Sequence, residues 1–346
     1  MAQQDTTGPP ASRGPWRALA LRAGPLIAAG AVTVALGAAA LTGDERETGH
    51  GFAEGEQFRL LAPAEPGGGW DQTAREMQSA LRDQVGRVEV YNVGGAGGTI
   101  GLNQYVRLPP DPTELMVTGL IMVGAVETSG SEVRVDDTTP LARITTDYEV
   151  IVVPGDSPVE DTGDLVELMR DDVGAVSIAG GSAGGVEQIL AGLVADEIGA
   201  DPAEINYIAH SGGGEALTTV LSGRATAAVS GVSEILPQIE AGRVRPIAVS
   251  SAERLEALPE VPTLIEGGVG VELANWRSVH APAGITAEEE QRLEELIMAM
   301  AQSPGWQEAL ERRGWGDALL AGEDYEEFLA SEQERTAEVL ARIGLA

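Results

Sequence analysis

The groups best suited to chemistry in this sequence are backbone amides presented by glycine. Gly67-Gly68-Gly69-Trp70-Asp71 and Asn92-Val93-Gly94-Gly95-Ala96-Gly97-Gly98-Thr99 each follow a short apolar run, 58–62 and 88–91, and each leads towards a helical pattern. Glycine, lacking a Cβ, lets N–H groups approach a ligand closely. A helix N-terminus adds unpaired donors and partial positive charge. Two such loops after successive strands make a cradle for an anion. Either loop alone reads equally well as a strand-to-helix turn, where glycine is the usual residue. The repetition in consecutive units favours the anion site.

Two other motifs compete. Gly180-Gly181-Ser182-Ala183-Gly184 matches the G-x-S-x-G nucleophile elbow between a strand pattern and a helical one. A secreted serine hydrolase using Ser182 is therefore the alternative reading. It needs a downstream histidine with an acidic partner, which only His210 and His280 could supply. With 45 glycines in the chain, a chance match is unsurprising, and a Gly-Ser anion loop in which Ser182 attacks nothing is the preferred account. Gly95 to Gly101 does not space as G-x-G-x-x-G, and no acidic residue follows where a ribose would need one, so a dinucleotide site is disfavoured.

These loops must be held by alternating strands and helices. Ala74, Met77, Leu81 and Val85 recur at helical spacing after Asp71, which stands where an N-cap belongs, and Gly86 supplies the stop. Strand patterns lie at 115–120, 149–153, 175–179, 205–209, 225–229 and 246–249, with helical patterns at 162–170, 186–198 and 215–221. The alternation predicts an α/β fold with a mostly parallel sheet. After Ser250 come two long charged helical patterns, 286–300 and 323–343, whose charges read as solvated faces. A strand-rich segment flanked on both sides predicts one domain of 57–150 plus 249–346 and a second of 151–248, with the glycine loops facing the cleft between them.

Composition narrows the chemistry. The net charge of −32 excludes a nucleic-acid partner, since phosphate binding needs basic neutralisation. No cysteine and no lysine occur in the 346 residues, which removes thiolate sites, disulfides, Schiff bases and the P-loop lysine. His50, His210 and His280 match no metal spacing, so neither a metal nor a cofactor is expected. Arg13, Arg17 and Arg22 precede an uncharged run at 23–43, the pattern of an export signal or a membrane anchor, with Ala38-Ala39-Ala40 as a candidate cleavage site. Residues 1–43 are thus assigned to that segment and 44–56 to a linker. Whether the segment is cleaved is left open.

Taken in order, several segments resemble the substrate-binding proteins of tripartite tricarboxylate transporters, the Bug family of solute receptors. They are 66–75, 92–98, Gly181-Ser182-Ala183-Gly184, 207–217, Val261-Pro262-Thr263-Leu264 and Asn275-Trp276-Arg277. The resemblance spans nearly all of 58–346. It implies a two-domain, type II periplasmic-binding-protein-like fold that closes over a small di- or tricarboxylate, citrate-like, with no enzymatic activity. It further implies an extracytoplasmic, monomeric receptor that delivers its ligand to a membrane permease. Carried onto this chain, the first ligand loop is Gly67, Gly68, Gly69 and Asp71, with Trp70 either covering the ligand or packing. The second is Asn92, Gly95, Ala96 and Gly97. Ser182 and Ala183 contribute from the second domain, with Ser211, Gly212, Ser230 and Asn275 as further candidates. A carboxylate cannot accept from another carboxylate, so Asp71 is assigned to capping its loop and helix, with Arg75 one turn on.

Overall fold

The first half of the chain repeats one unit. β1 (Gln57–Ala62) leads through the first glycine loop into α1 (Gly69–Val85), and β2 (Arg87–Asn92) leads through the second into α2 (Thr99–Tyr105). The apolar positions expected on one face of α1, Ala74, Met77, Leu81 and Val85, are all buried, and Gly86 ends it at φ +80°. The helix begins at Gly69 with Gly68 at the cap position. Asp71 therefore sits in the first turn rather than at the N-cap and reaches back to the loop. β3 (Glu114–Gly119) runs straight into α3 (Leu120–Ser129), which is apolar nearly all round and buried.

The computed structural model describes Phe52 and residues 56–346. The export or anchor segment at 1–43, nearly all of the 44–56 linker, and His50 lie outside the described residues. Every described residue falls in one contact unit, Glu45–Ala346. Among them, no helix is long and apolar enough to cross a membrane.

β4 (Thr138–Pro154) joins two halves of one ten-stranded sheet. Beyond it come α4 (Thr162–Asp171), β5 (Ser177–Gly180), α5 (Val186–Glu197), β6 (Asn206–Ala209), α6 (Gly213–Leu221), β7 (Ala227–Gly231), α7 (Val232–Glu240) and β8 (Val244–Val249). β9 (Ala274–Pro282), α8 (Ala287–Ala301), α9 (Pro304–Arg313), β10 (Gly316–Ala321) and α10 (Glu323–Arg342) complete the chain. The strand order is β2-β1-β3-β9-β4-β7-β5-β6, with β8 and β10 also paired to β4. From Thr138 to Tyr148, β4 pairs with β9. From Glu149 onward it pairs with β7 and β8. Register shifts against β9 and β8 bend it, as bulges do.

The expectation of a mostly parallel sheet is corrected. Four strand pairs are parallel, all within the βαβ units. Five are antiparallel, because β4 and β9 thread between those units. β4 is buried on both faces there, with Ile151 and Val153 facing one apolar cluster and Val150 and Val152 the other.

The reading of every charge on the last helix as solvated also needs correction. Glu332 is buried, accepts from the Trp276 indole at 2.8 Å and is forked by Arg335. His280 is sealed as well, between Thr138 Oγ1 at 2.7 Å and the Tyr325 hydroxyl at 2.7 Å.

Burial drives the His280 pKa down to about 3, whereas an unfolded histidine titrates near 6.5. Between those values the unfolded chain binds a proton that the folded one refuses. This contribution to stability is complete above about pH 6.5 and is lost as pH falls towards 3, at up to about 1.4 kcal/mol per pH unit. Urea midpoints at pH 7, 5.5 and 4 should show the gap between wild type and His280→Gln narrowing with acidification. A constant gap would show that His280 carries no such linkage.

Candidate functional site

The two glycine loops are tied to each other. Asp71 Oδ2 accepts from the Gly67 N–H at 2.8 Å and from Arg75 Nε at 2.9 Å, while Oδ1 accepts from Asn92 Nδ2 at 2.9 Å. Asn92 also donates to the Ala64 carbonyl at 3.0 Å. Burial alone would raise the Asp71 pKa. The bonds from Arg75, Gly67 and Asn92 outweigh it and hold the carboxyl below its ordinary value. Asp71 thus locks the loop geometry, and the Asn92 amide is spent on the same task.

The second loop divides into a packed part and an exposed part. Gly95, Ala96, Gly97 and Gly98 all have positive φ, and Ala96 is the one non-glycine residue in that state among the described residues. Gly97 and Gly98 are buried, Gly97 against Ala125 of α3 and Gly98 against the Trp70 ring. Trp70 is buried at 6 % exposure beneath Gly98 and packs there. Gly95 and Ala96 remain exposed at the loop crest.

The loop between β5 and α5 meets the same helix. Gly184 lies against Gly124 and Thr128, one turn or less from the Gly97 contact. α3 is therefore the platform on which loops from both halves of the sheet rest. Ser182 is half-buried and Ala183 exposed on that loop. A nucleophile elbow needs its serine on a strained turn, and Ser182 is not among the residues with positive φ. His280 is committed to Thr138 and Tyr325, and His210 Nδ1 lies 3.9 Å from Glu215. His280 is therefore not available to Ser182.

Arg277 on β9 connects most of the remaining polar groups. Its Nη2 donates to Asp147 at 2.9 Å, its Nη1 donates to Thr73 at 3.1 Å, and its guanidinium lies over the Trp315 ring. Asp147 also accepts from Ser233 at 2.8 Å. One strand position further along the same face, Asn275 donates to Glu149 at 3.1 Å. Glu234 approaches Gly69 and Gly213 together: a Cβ on Gly69 would stand 3.2 Å from its Oε1, and one on Gly213 2.7 Å from its Oε2. Ser230 stands beside it, buried and without a hydrogen-bond partner.

Burial raises the pKa of Glu149 well above the ordinary range, and Glu187, Asp147 and Glu234 add to the effect. Glu187 is pushed up to about 7 by burial, although its own N–H and that of Gly181 pull it back and Glu234 pushes further. Glu234 is raised chiefly by burial, against Arg277 and the N–H groups of Gly213 and Gly69.

The structure brings Gly69, Gly213, Ser230 and Asn275 into or beside this polar core, and it places Gly95, Ala96, Ser182 and Ala183 on loops that share α3. Gly67 and Gly68 lie on the rim of the first loop, and Ser211 and Gly212 on the rim before α6, where the Ser211 N–H donates to Glu215 at 3.1 Å. Asp147, Glu149, Glu187, Glu234 and the role of Arg277 were not read from sequence. The available signal was a glutamate in the first turn of a helix that follows a glycine, at Glu187 and Glu234. Hollows elsewhere are unrelated to the glycine loops. One of about 240 Å³ is lined by Arg143, Trp276, Phe328 and Glu332, and another lies between α4 and Gly267–Val269.

Residues 73–345 match the family described as the tripartite tricarboxylate transporter family receptor. A Pseudomonas sp. (strain P51) protein of the UPF0065 group is 29 % identical over 290 residues, covering 82 % of this chain and 85 % of that one. Protein BugT of Bordetella pertussis is 27 % identical over 293 residues, covering 83 % and 89 %. Among solved structures, a Rhodopseudomonas palustris protein with adipate superposes with a TM-score of 0.75 at 24 % identity, covering 83 % of this chain and 97 % of that one. MatC from Rhodopseudomonas palustris with bound malate superposes at 0.71 with 22 % identity, covering 82 % and 98 %. The periplasmic binding protein BugD gives 0.73 at 24 % identity, covering 84 % and 98 %. The fold is thus that of periplasmic binding proteins, and the chain belongs to the tripartite tricarboxylate transporter receptor family, whose members are extracytoplasmic solute receptors and not enzymes.

Proposed function

We propose that this receptor captures a small di- or tricarboxylate and hands it to the membrane permease of a tripartite tricarboxylate transporter. The observation that carries the reading is the pair of glycine loops. They follow the parallel neighbours β1 and β2, are locked together through Asp71 and Asn92, and leave Gly95 and Ala96 exposed. Ligands of open α/β sheets bind at this carboxyl edge. Solved relatives that hold malate and adipate support a dicarboxylate scale for the ligand.

In this reading the chain works as two lobes, 57–150 with 249–346 and 151–248. β4 and the return near residue 249 act as the hinge, the usual receptor motion. Gly95 and Ala96 form the anion side, on loops shaped by Gly67, Gly68, Gly69 and Gly97. Ser182, Ala183, Ser211, Gly212 and Ser230 close from the second lobe, and Asn275 contributes from the first. The receptor acts as a monomer, and residues 23–43 either direct export or hold it at the membrane.

Two outcomes are expected. Saturating citrate, malate, succinate, aspartate or glutamate, whichever is the true ligand class, should lower the radius of gyration in solution scattering and raise the melting temperature by mass action. If all five leave both unchanged, the ligand class is wrong. Separately, Gly95→Val should weaken binding at least tenfold in calorimetry with far-UV circular dichroism near wild type. Its φ of +114° and an added Cβ 2.7 Å from Ile100 Cδ1 would reshape the crest. Undiminished affinity would make Gly95 a turn residue only.

A further inference from the structure

The helices α5 and α7 both begin after a glycine and carry a glutamate in the first turn, Glu187 and Glu234. A carboxylate in that position ordinarily serves the start of its own helix. Glu187 does so, taking its own N–H and that of Gly181, both within the second lobe. Glu234 does not. Its carboxylate reaches away from α7 and lies between the starts of two other helices, α1 of the first lobe and α6 of the second. Burial raises its pKa and Asp147 adds to this, while Arg277 and the N–H groups of Gly213 and Gly69 favour the charged form. The carboxylate therefore has donors on both sides of the boundary between the lobes.

Glycine at those two helix starts is explained by this approach. Neither Gly69 nor Gly213 has a positive φ, so backbone conformation does not demand glycine there. Space does. A Cβ on Gly69 would stand 2.9 Å from Arg277 Nη2 and 3.2 Å from Glu234 Oε1, and one on Gly213 would stand 2.7 Å from Glu234 Oε2. Ser233, in the same turn of α7, makes a second tie by donating to Asp147 at 2.8 Å, where Arg277 also donates. The first turn of α7 is thus fastened to α1, β4 and β9.

We propose that Glu234 is an interlobe latch: its carboxylate bridges the N-termini of α1 and α6 and biases the ligand-free receptor towards the closed arrangement. This rests on the two-lobe reading above and goes beyond it, since closure there follows the ligand. Every contact in the latch is made by protein groups, so it acts before a ligand arrives. Such a bias sets the share of molecules open to a ligand. Releasing it leaves the crest at Gly95 and Ala96 unaltered.

The absence of cysteine makes a direct test practical. Ser79→Cys and Thr218→Cys place spin labels at exposed positions of α1 and α6 in the full chain. Double electron–electron resonance then reads the distance between the lobes with no ligand present. The shorter distance should dominate while Glu234 is intact. Adding Glu234→Gln or Glu234→Ala should shift most of the population to a longer distance, with far-UV circular dichroism near that of the parent. Gly69→Ala, whose Cβ would meet Arg277 and Glu234 from the other side, should do the same and decides the matter if the Glu234 variants misfold. An unchanged distance distribution in the folded variants, or a parent already at the longer distance, would overturn the latch. Because no ligand enters the measurement, that result would leave the carboxylate reading standing. Failure of every dicarboxylate to bind would overturn that reading, and this distance would still decide the latch.

Discussion

The buried pair of Arg277 and Asp147 is the contact on which the site's architecture depends. Asp147 lies on β4 immediately before the strand leaves one half of the sheet for the other, and Arg277 lies on the neighbouring β9, opposite Thr145 and two positions from the residue facing Asp147. With Thr73 of α1, Ser233 of α7 and the ring of Trp315 in the turn before β10, the pair collects four elements and a turn at the crossing point. Both side chains are almost wholly buried, at 2 % and 1 % exposure. Removing one partner of such a pair leaves a stranded charge and costs about 3–5 kcal/mol, whereas the intact pair adds little net stability. Its value here is geometric: it fixes where β4 crosses, and hence how Gly69 meets Gly213 around Glu234.

In a chain with net charge −32, backbone N–H groups are the donors that the proposed site offers an anion. The structure shows how far its own carboxylates have claimed that backbone. Asp71 takes the first loop, Glu187 the start of α5, and Glu234 the starts of α1 and α6. Helix N-terminal charge acts over about a turn, so a neighbouring carboxylate neutralises it locally. Gly95 and Ala96 remain exposed, with Glu65 lying against the preceding Gly94.

Much of the fold was legible because its helices and βα turns carry local signals. The apolar stripe of α1, the glycine loops after β1 and β2, and the helices over 162–171, 186–197 and 323–342 all follow from spacing and caps. α3 has no amphipathic stripe because it is buried on nearly all sides, so periodicity gave nothing to read. β9 and the first half of β4 are antiparallel strands whose partners lie over a hundred residues away, and polar residues such as Thr145, Asp147, Asn275 and Arg277 interrupt their apolar runs. Those same residues form the polar core, so the features that hid the strands are the ones that matter for the site. Asp71 is expected at the N-cap, but Gly68 takes that position and Asp71 stands in the first turn, accepting from Gly67 and Arg75, while its tie to Asn92 in the next unit had no local signal.

The central claim is that a carboxylate is held at the crest of the second glycine loop, between lobes that share α3. A crystal structure of the purified protein with malate and aspartate present tests it most directly. The account predicts ligand density with a carboxylate within hydrogen-bond reach of the Gly95 and Ala96 N–H groups and its other end towards Ser182 and Glu187. Density confined to the hollow beside Arg143, Trp276 and Glu332, with the glycine loops empty, would contradict it.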